Sequence, residues 1–116
     1  MKKISLFVFL FSFLFIISNL LAAESVFISG ISLPLVEGAL RVPGNGTSNA
    51  KVEKFSTDKP LAEVISFYSE YLKANGFLLI GGENASGFDA SVKKNESMFT
   101  LKIYSEKGKT VVHFVW

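Results

Sequence analysis

Cysteine is absent from the 116 residues, and histidine occurs once, as His113. Without cysteine there is no disulfide framework, no thiol nucleophile and no thiolate ligand for a metal. A domain of this size without cross-links must hold by packing alone. No repeat and no low-complexity tract interrupts the chain. Charge of one sign is also missing: Lys2 and Lys3 stand in the N-terminal segment, and the twelve basic residues fall to ten without them, against ten acidic ones. Residues 24–116 are therefore near neutral. A neutral domain lacks the basic patch that displaces counterions from a phosphate backbone, which excludes a nucleic-acid partner on electrostatic grounds. The same balance argues against a polybasic membrane surface.

What is present begins with the one long apolar run. Met1-Lys2-Lys3 is followed by Ile4 to Ile17, broken only by Ser5 and Ser12, then by Ser18-Asn19 and Leu20-Leu21-Ala22-Ala23 before Glu24. A charged start, a short greasy centre and a small-residue exit make the pattern of a secretory signal peptide over 1–23, cleaved after Ala23. Retained, Ile4 to Ala23 is twenty residues, long enough to serve as a membrane anchor. Either outcome places a single domain, 24–116, outside the cytoplasm, in the periplasm or secreted. Membrane contact is expected only through the N-terminal segment, if it stays uncleaved.

In the remainder, a short strand is expected at Val26–Ile31, and Pro34 disfavours a central strand for Ser32–Val36. Pro43 to Asn49 is turn chemistry, and Lys51–Thr57 reads as a strand. The helix is the clearest element. Asp58 is the expected N-cap, Pro60 suits the first turn, and Leu61, Val64, Ile65, Tyr68 and Leu72 fall on one stripe. Asn75-Gly76-Phe77 predicts a Schellman stop with Gly76 as the left-handed residue. Phe77–Ile80, Phe88–Lys93, Met98–Ser105 and Thr110–Trp116 then alternate or run apolar, split by Gly81–Gly87, Asn95-Glu96 and Glu106–Lys109. That is a meander with one face on the helix. The last strand, apolar on both sides, belongs inside the sheet or beneath the N-terminal segment. The fold class is α+β: an antiparallel sheet of four to five strands with one amphipathic helix on one face.

The residues Glu63-Val64, Phe67-Tyr68, Leu72 and Gly76-Phe77 resemble a motif of small bacterial exported proteins of uncharacterised function. In that motif the last aromatic is often Trp, where this chain has Phe77. The resemblance implies export and an α+β fold. It implies no activity and carries over no functional residue.

No catalytic signature emerges. His113 sits mid-strand, and acid–base work would require a positioned partner such as Asp89 or a glutamate. Around it there is no metal-ligand spacing, so neither a metal nor a cofactor is expected. Glu63 and Glu70 lie on the polar side of the helix, the place of solvated surface carboxylates rather than of a pair flanking a cleft. Gly44-Asn45-Gly46 and Gly81–Gly87 lack the following helix that phosphate cradles need, and read as turns. The triplets Asn45-Gly46-Thr47, Asn84-Ala85-Ser86 and Asn95-Glu96-Ser97 have glycosylation spacing in predicted loops, but the short lysine-led signal is of bacterial type. Phe67 and Tyr71 share one flank of the helix. Either Leu33–Val36 packs there, or the flank is an aromatic patch for a partner. The leading expectation is a non-enzymatic accessory or binding module of the cell envelope, with an envelope protein or a small ligand as partner. The others are a small hydrolase or metal-assisted enzyme using His113, and a membrane-tethered structural protein.

Overall fold

The computed structural model describes residues 25–44 and 50–116. The expected export segment 1–23 and the loop centre 45–49, with its Asn45 triplet, lie outside the described residues. The elements run β1 (Ser25–Ile28), β2 (Ile31–Pro34), β3 (Leu40–Val42), β4 (Val52–Thr57), α1 (Leu61–Ala74), β5 (Leu78–Asn84), β6 (Gly87–Lys94), β7 (Ser97–Glu106) and β8 (Lys109–Val115). All strand pairs are antiparallel. β1 and β2 form a separate hairpin, and the main sheet has six strands in the order β3-β4-β8-β7-β6-β5. The α+β class and the meander hold, and β8 lies inside the sheet between β4 and β7 as expected. The expected four to five strands are too few.

Two local readings differ from expectation, and only the first, β3, adds a strand to the main sheet. β3 is three residues long and has no pattern to announce it; β4 recruits it by pairing Arg41 with Phe55, and Arg41 also forms an ion pair with Glu53. The second is β5. Gly81-Gly82 was expected to end the strand, yet the register continues through Gly81↔Ala90 and Gly82↔Asp89 to Asn84↔Gly87. The glycine serves close approach instead of a turn: a Cβ on Gly81 would stand 2.4 Å from the Asp89 carbonyl oxygen. The turn is shorter, over Ala85 and Ser86, where the Ser86 amide donates to the Asn84 side chain at 2.8 Å.

The helix fulfils its pattern. Val64, Ile65, Tyr68 and Leu72 are buried, and the stop is a Schellman motif: Phe77 N–H donates to Leu72 O at 3.0 Å and Gly76 N–H to Lys73 O at 3.2 Å. Its start differs from expectation. Pro60 occupies the cap position with no side-chain cap bond, while Asp58 turns away to pair with Lys109 at 2.7 Å.

The core lies between one face of the sheet and a cover made of α1 and the β1–β2 hairpin. Phe88, Ala90 and Val92 of β6, Phe99, Leu101 and Ile103 of β7, and Val112 and Phe114 of β8 all point into it. Phe114 is the hub, with edge-on contacts to Phe55, Tyr68 and Phe99 at centroid distances of 6.4, 5.9 and 6.0 Å. Truncating such a fully buried ring to alanine costs about 3–5 kcal/mol, which makes Phe114→Ala a change that threatens the whole fold. The segment through Leu33, Leu35 and Val36 joins the same core. Tyr68 ties it down: its hydroxyl donates to Pro34 O at 3.0 Å and accepts from Val36 N–H at 3.3 Å.

Candidate functional site

Strand residues alternate between faces, so the burial of one face fixes the composition of the other. Opposite the core, the sheet face is exposed at Asp89, Lys93 and Lys102. Register aligns Asp89, Lys102, His113 and Lys54 as one row across β6, β7, β8 and β4. The next row along the strands carries Ser91, Thr100, Val115 and Val52. On the other side of the first row, Tyr104 pairs with Val111. Val52 and Val115 are half-buried and Val111 is buried, so the β4–β8 end of the lysine–histidine row has apolar neighbours on both sides.

His113 is half-buried, with its ring 6.4 Å from that of Tyr104. Its Nε2 is sealed from solvent and has no hydrogen-bond partner. Burial lowers its pKa first, and the flanking charges of Lys54 and Lys102 push it lower still. The imidazole is therefore neutral at pH 7. Lys54 is itself largely covered, and its ammonium stands 3.9 Å from the Glu106 carboxylate.

The proposed partners of a catalytic His113 are not assembled around it. Asp89 is in the same row but two strands away, roughly 10 Å at ordinary strand spacing, with Lys102 between them. Glu63 and Glu70 lie on exposed turns of α1, and Glu63 is engaged by Lys59 at 3.5 Å. Among the described residues no three His, Asp or Glu side chains come together as a metal-binding group. A base flanked by two cations and lacking a carboxylate to orient it is poorly arranged for proton transfer.

A shallow depression of about 430 Å³ opens elsewhere, between Glu37, Gly38, Thr57, Asp58, Lys59 and Glu63. Its polar groups satisfy one another. Lys59 reaches Glu37 at 3.8 Å and Glu63 at 3.5 Å, while the Thr57 hydroxyl donates to Glu37 O and accepts from Lys59 N–H, each at 3.2 Å. These bonds join the β2–β3 connection to the start of α1 and leave nothing directed at a ligand.

Phe67 and Tyr71 are half-buried and packed against the core margin, Phe67 edge-on to Tyr68 at 4.9 Å. The Leu33–Val36 segment meets the helix at the buried stripe, through the Tyr68 hydroxyl. Lys54 and Lys102, which flank His113, were not singled out from the sequence. Each sits on the polar side of its own strand, and only the register across three strands makes them a set. Among the described residues no helix is long and apolar enough to cross a membrane. Set against protein-family models, curated proteins and solved structures, the chain matches none of them, so its functional reading rests on geometry.

Proposed function

We propose that this chain is an exported, non-enzymatic binding module of the cell envelope, and that the uncovered sheet face receives a ligand with an anionic group beside an apolar segment. The observation that carries the reading is the Lys54–His113–Lys102 row, two cations flanking a neutral imidazole beside the half-buried Val52 and Val115. Such a row offers charge-assisted donors to a carboxylate or phosphate, and the half-buried Val52 and Val115 offer dry contact to a chain. Export rests on the N-terminal pattern of Lys2, Lys3, the apolar run and Ala22-Ala23.

The test is a titration of the protein with decanoate and decyl phosphate, set against an uncharged decyl glycoside, followed through backbone amide shifts. Shifts at Lys54, Thr100, Lys102 and Val115 with the anionic probes are expected, together with loss of binding in the Lys54→Gln, Lys102→Gln double variant. Equal response to the uncharged probe, or binding that survives loss of both lysines, overturns the reading. Phe67 and Tyr71 are the second recognition surface in this proposal. Phe67→Ser is expected to lower stability by less than about 1.5 kcal/mol, well short of a core ring. A loss of about 3 kcal/mol or more assigns that flank to packing.

A further inference from the structure

The two edges of the main sheet are unlike. β3 has three residues, carries Arg41 and runs into Pro43, which are the usual protections of an edge. β5 has seven residues, with neither lysine nor proline, and Glu83 is its single charge. No described strand pairs with its outer side. Half of the backbone N–H and C=O groups of such a strand point away from β6, and what satisfies them in kind is another strand. Gly81 departs from ordinary strand geometry with φ +117°, but the register to β6 runs unbroken through it. Apolar side chains gather at this edge. Leu78 and Ile80 of β5 are 57% and 59% exposed, and Met98, one strand beyond β6 in the row of Leu78, is 57% exposed.

We infer that β5 pairs antiparallel with β5 of a second copy, about a two-fold axis through Ile80. Ile80 lies in the row of Ser91, Thr100 and Val115, on the same sheet face as the lysines, but the pairing is made by the outer backbone edge of β5, so the inference does not require a ligand on that face. The occupant follows from side-chain size. Centring the pair on Ile80 places Ile80 opposite Ile80, Leu78 opposite Gly82 and Leu79 opposite Gly81. Each large side chain thus meets a glycine or the dyad mate, and no residue charge faces its like, because Glu83 falls opposite Phe77. A two-fold contact of this kind is closed, so it ends in a dimer with one continuous sheet, six strands from each copy, and not in a fibre. It also removes the unprotected edge.

The absence of cysteine makes the test clean. Ile80→Cys introduces one thiol per chain at the axis, where the Cα separation of directly opposed strand residues suits a disulfide. The full chain is purified as the cell delivers it. Sedimentation velocity over a concentration series is run on the wild type and on Ile80→Lys, and Ile80→Cys and Leu40→Cys are oxidised in parallel. Leu40, at the opposite edge, is more exposed than Ile80. The expected results are a reversible dimer, a dissociation constant raised at least roughly tenfold by Ile80→Lys, and a cross-linked dimer for Ile80→Cys but not for Leu40→Cys. A wild type that stays monomeric overturns the inference whatever the variants do. So does a dimer indifferent to Ile80→Lys, or cross-linking at Leu40→Cys alone, and the latter transfers the contact to the other edge.

Discussion

Removing one oxygen atom from Tyr68 tests how the hairpin is held to the rest of the fold. The ring is wholly buried, and burial raises the pKa of the phenol well above its ordinary value, so the hydroxyl keeps its proton as a donor. It donates to Pro34 O and accepts from Val36 N–H. In Tyr68→Phe the aromatic packing against Phe67 and Phe114 survives, and only these two bonds are lost. Pro34 is half-buried and its carbonyl can recover a water; Val36 is 4% exposed and its amide cannot. A buried donor left unpaired costs about 1–3 kcal/mol, while a satisfied neutral bond contributes only about 1 kcal/mol net. The orphaned amide therefore dominates, and the expected loss is about 2 kcal/mol.

In a domain of this size, 1 kcal/mol moves the melting temperature by roughly 4–8 °C, so a drop of roughly 8–16 °C is expected in a thermal melt. Urea denaturation gives the free energy directly, with Tyr71→Phe as the control on the same helix. Amide exchange adds the location: protection at Val36 and through β1 and β2 should fall first, while β6, β7 and β8 keep theirs. A loss under about 0.5 kcal/mol, or one equal to that of Tyr71→Phe, refutes the argument. It would mean that Leu33, Leu35 and Val36 hold the hairpin by apolar contact alone.

Three further outcomes follow from the same structure. His113 is the sole histidine and its pKa is lowered, so the native state resists the proton that the unfolded chain accepts near pH 6.5. Stability should be level above about pH 6.5 and fall as pH drops from there towards the depressed native value; His113→Gln should flatten that decline, and Lys102→Gln should raise the imidazole pKa in an NMR titration. Gly87 has φ +146°, and an added Cβ would lie 2.1 Å from Ile103 O, so Gly87→Ala should cost about 3 kcal/mol or more by urea unfolding. Asp58 pairs with Lys109 on the surface instead of capping α1, so Asp58→Ala should cost under about 1 kcal/mol and the loss should shrink in high salt.

The parts of the fold that were legible in the sequence are those in which local pattern and tertiary burial agree. The stripe of α1 and the Gly76 stop depend on a few consecutive turns, and both appear as read. So do the alternating faces of β6, β7 and β8, because a strand with one buried side must alternate. Glycine was the ambiguous letter. Gly81 and Gly87 look like turn residues in the sequence, and the structure instead requires them where the neighbouring backbone approaches too closely for a Cβ. β3 was illegible because three residues hold no period. Asp58 had the right chemistry for a cap, but Lys109 arrives from 51 residues away and claims its carboxylate.

The candidate site was less legible than the fold, for a physical reason. A helix writes its site partners at fixed spacing, whereas a sheet face assembles them from strands whose separation in sequence is set by turns. Lys54, Lys102 and His113 come from β4, β7 and β8, and nothing local in any of those strands marks the three as neighbours. Their meaning changes once the register is known. Alone, His113 invites an acid–base reading; in place, burial first and then two lysines lower its pKa, and its one sealed nitrogen has no carboxylate to orient it. Burial does most to disfavour the protonated imidazole, and the lysine charges that add to it also favour an incoming anion, so the lysines weaken the case for catalysis and support binding at once.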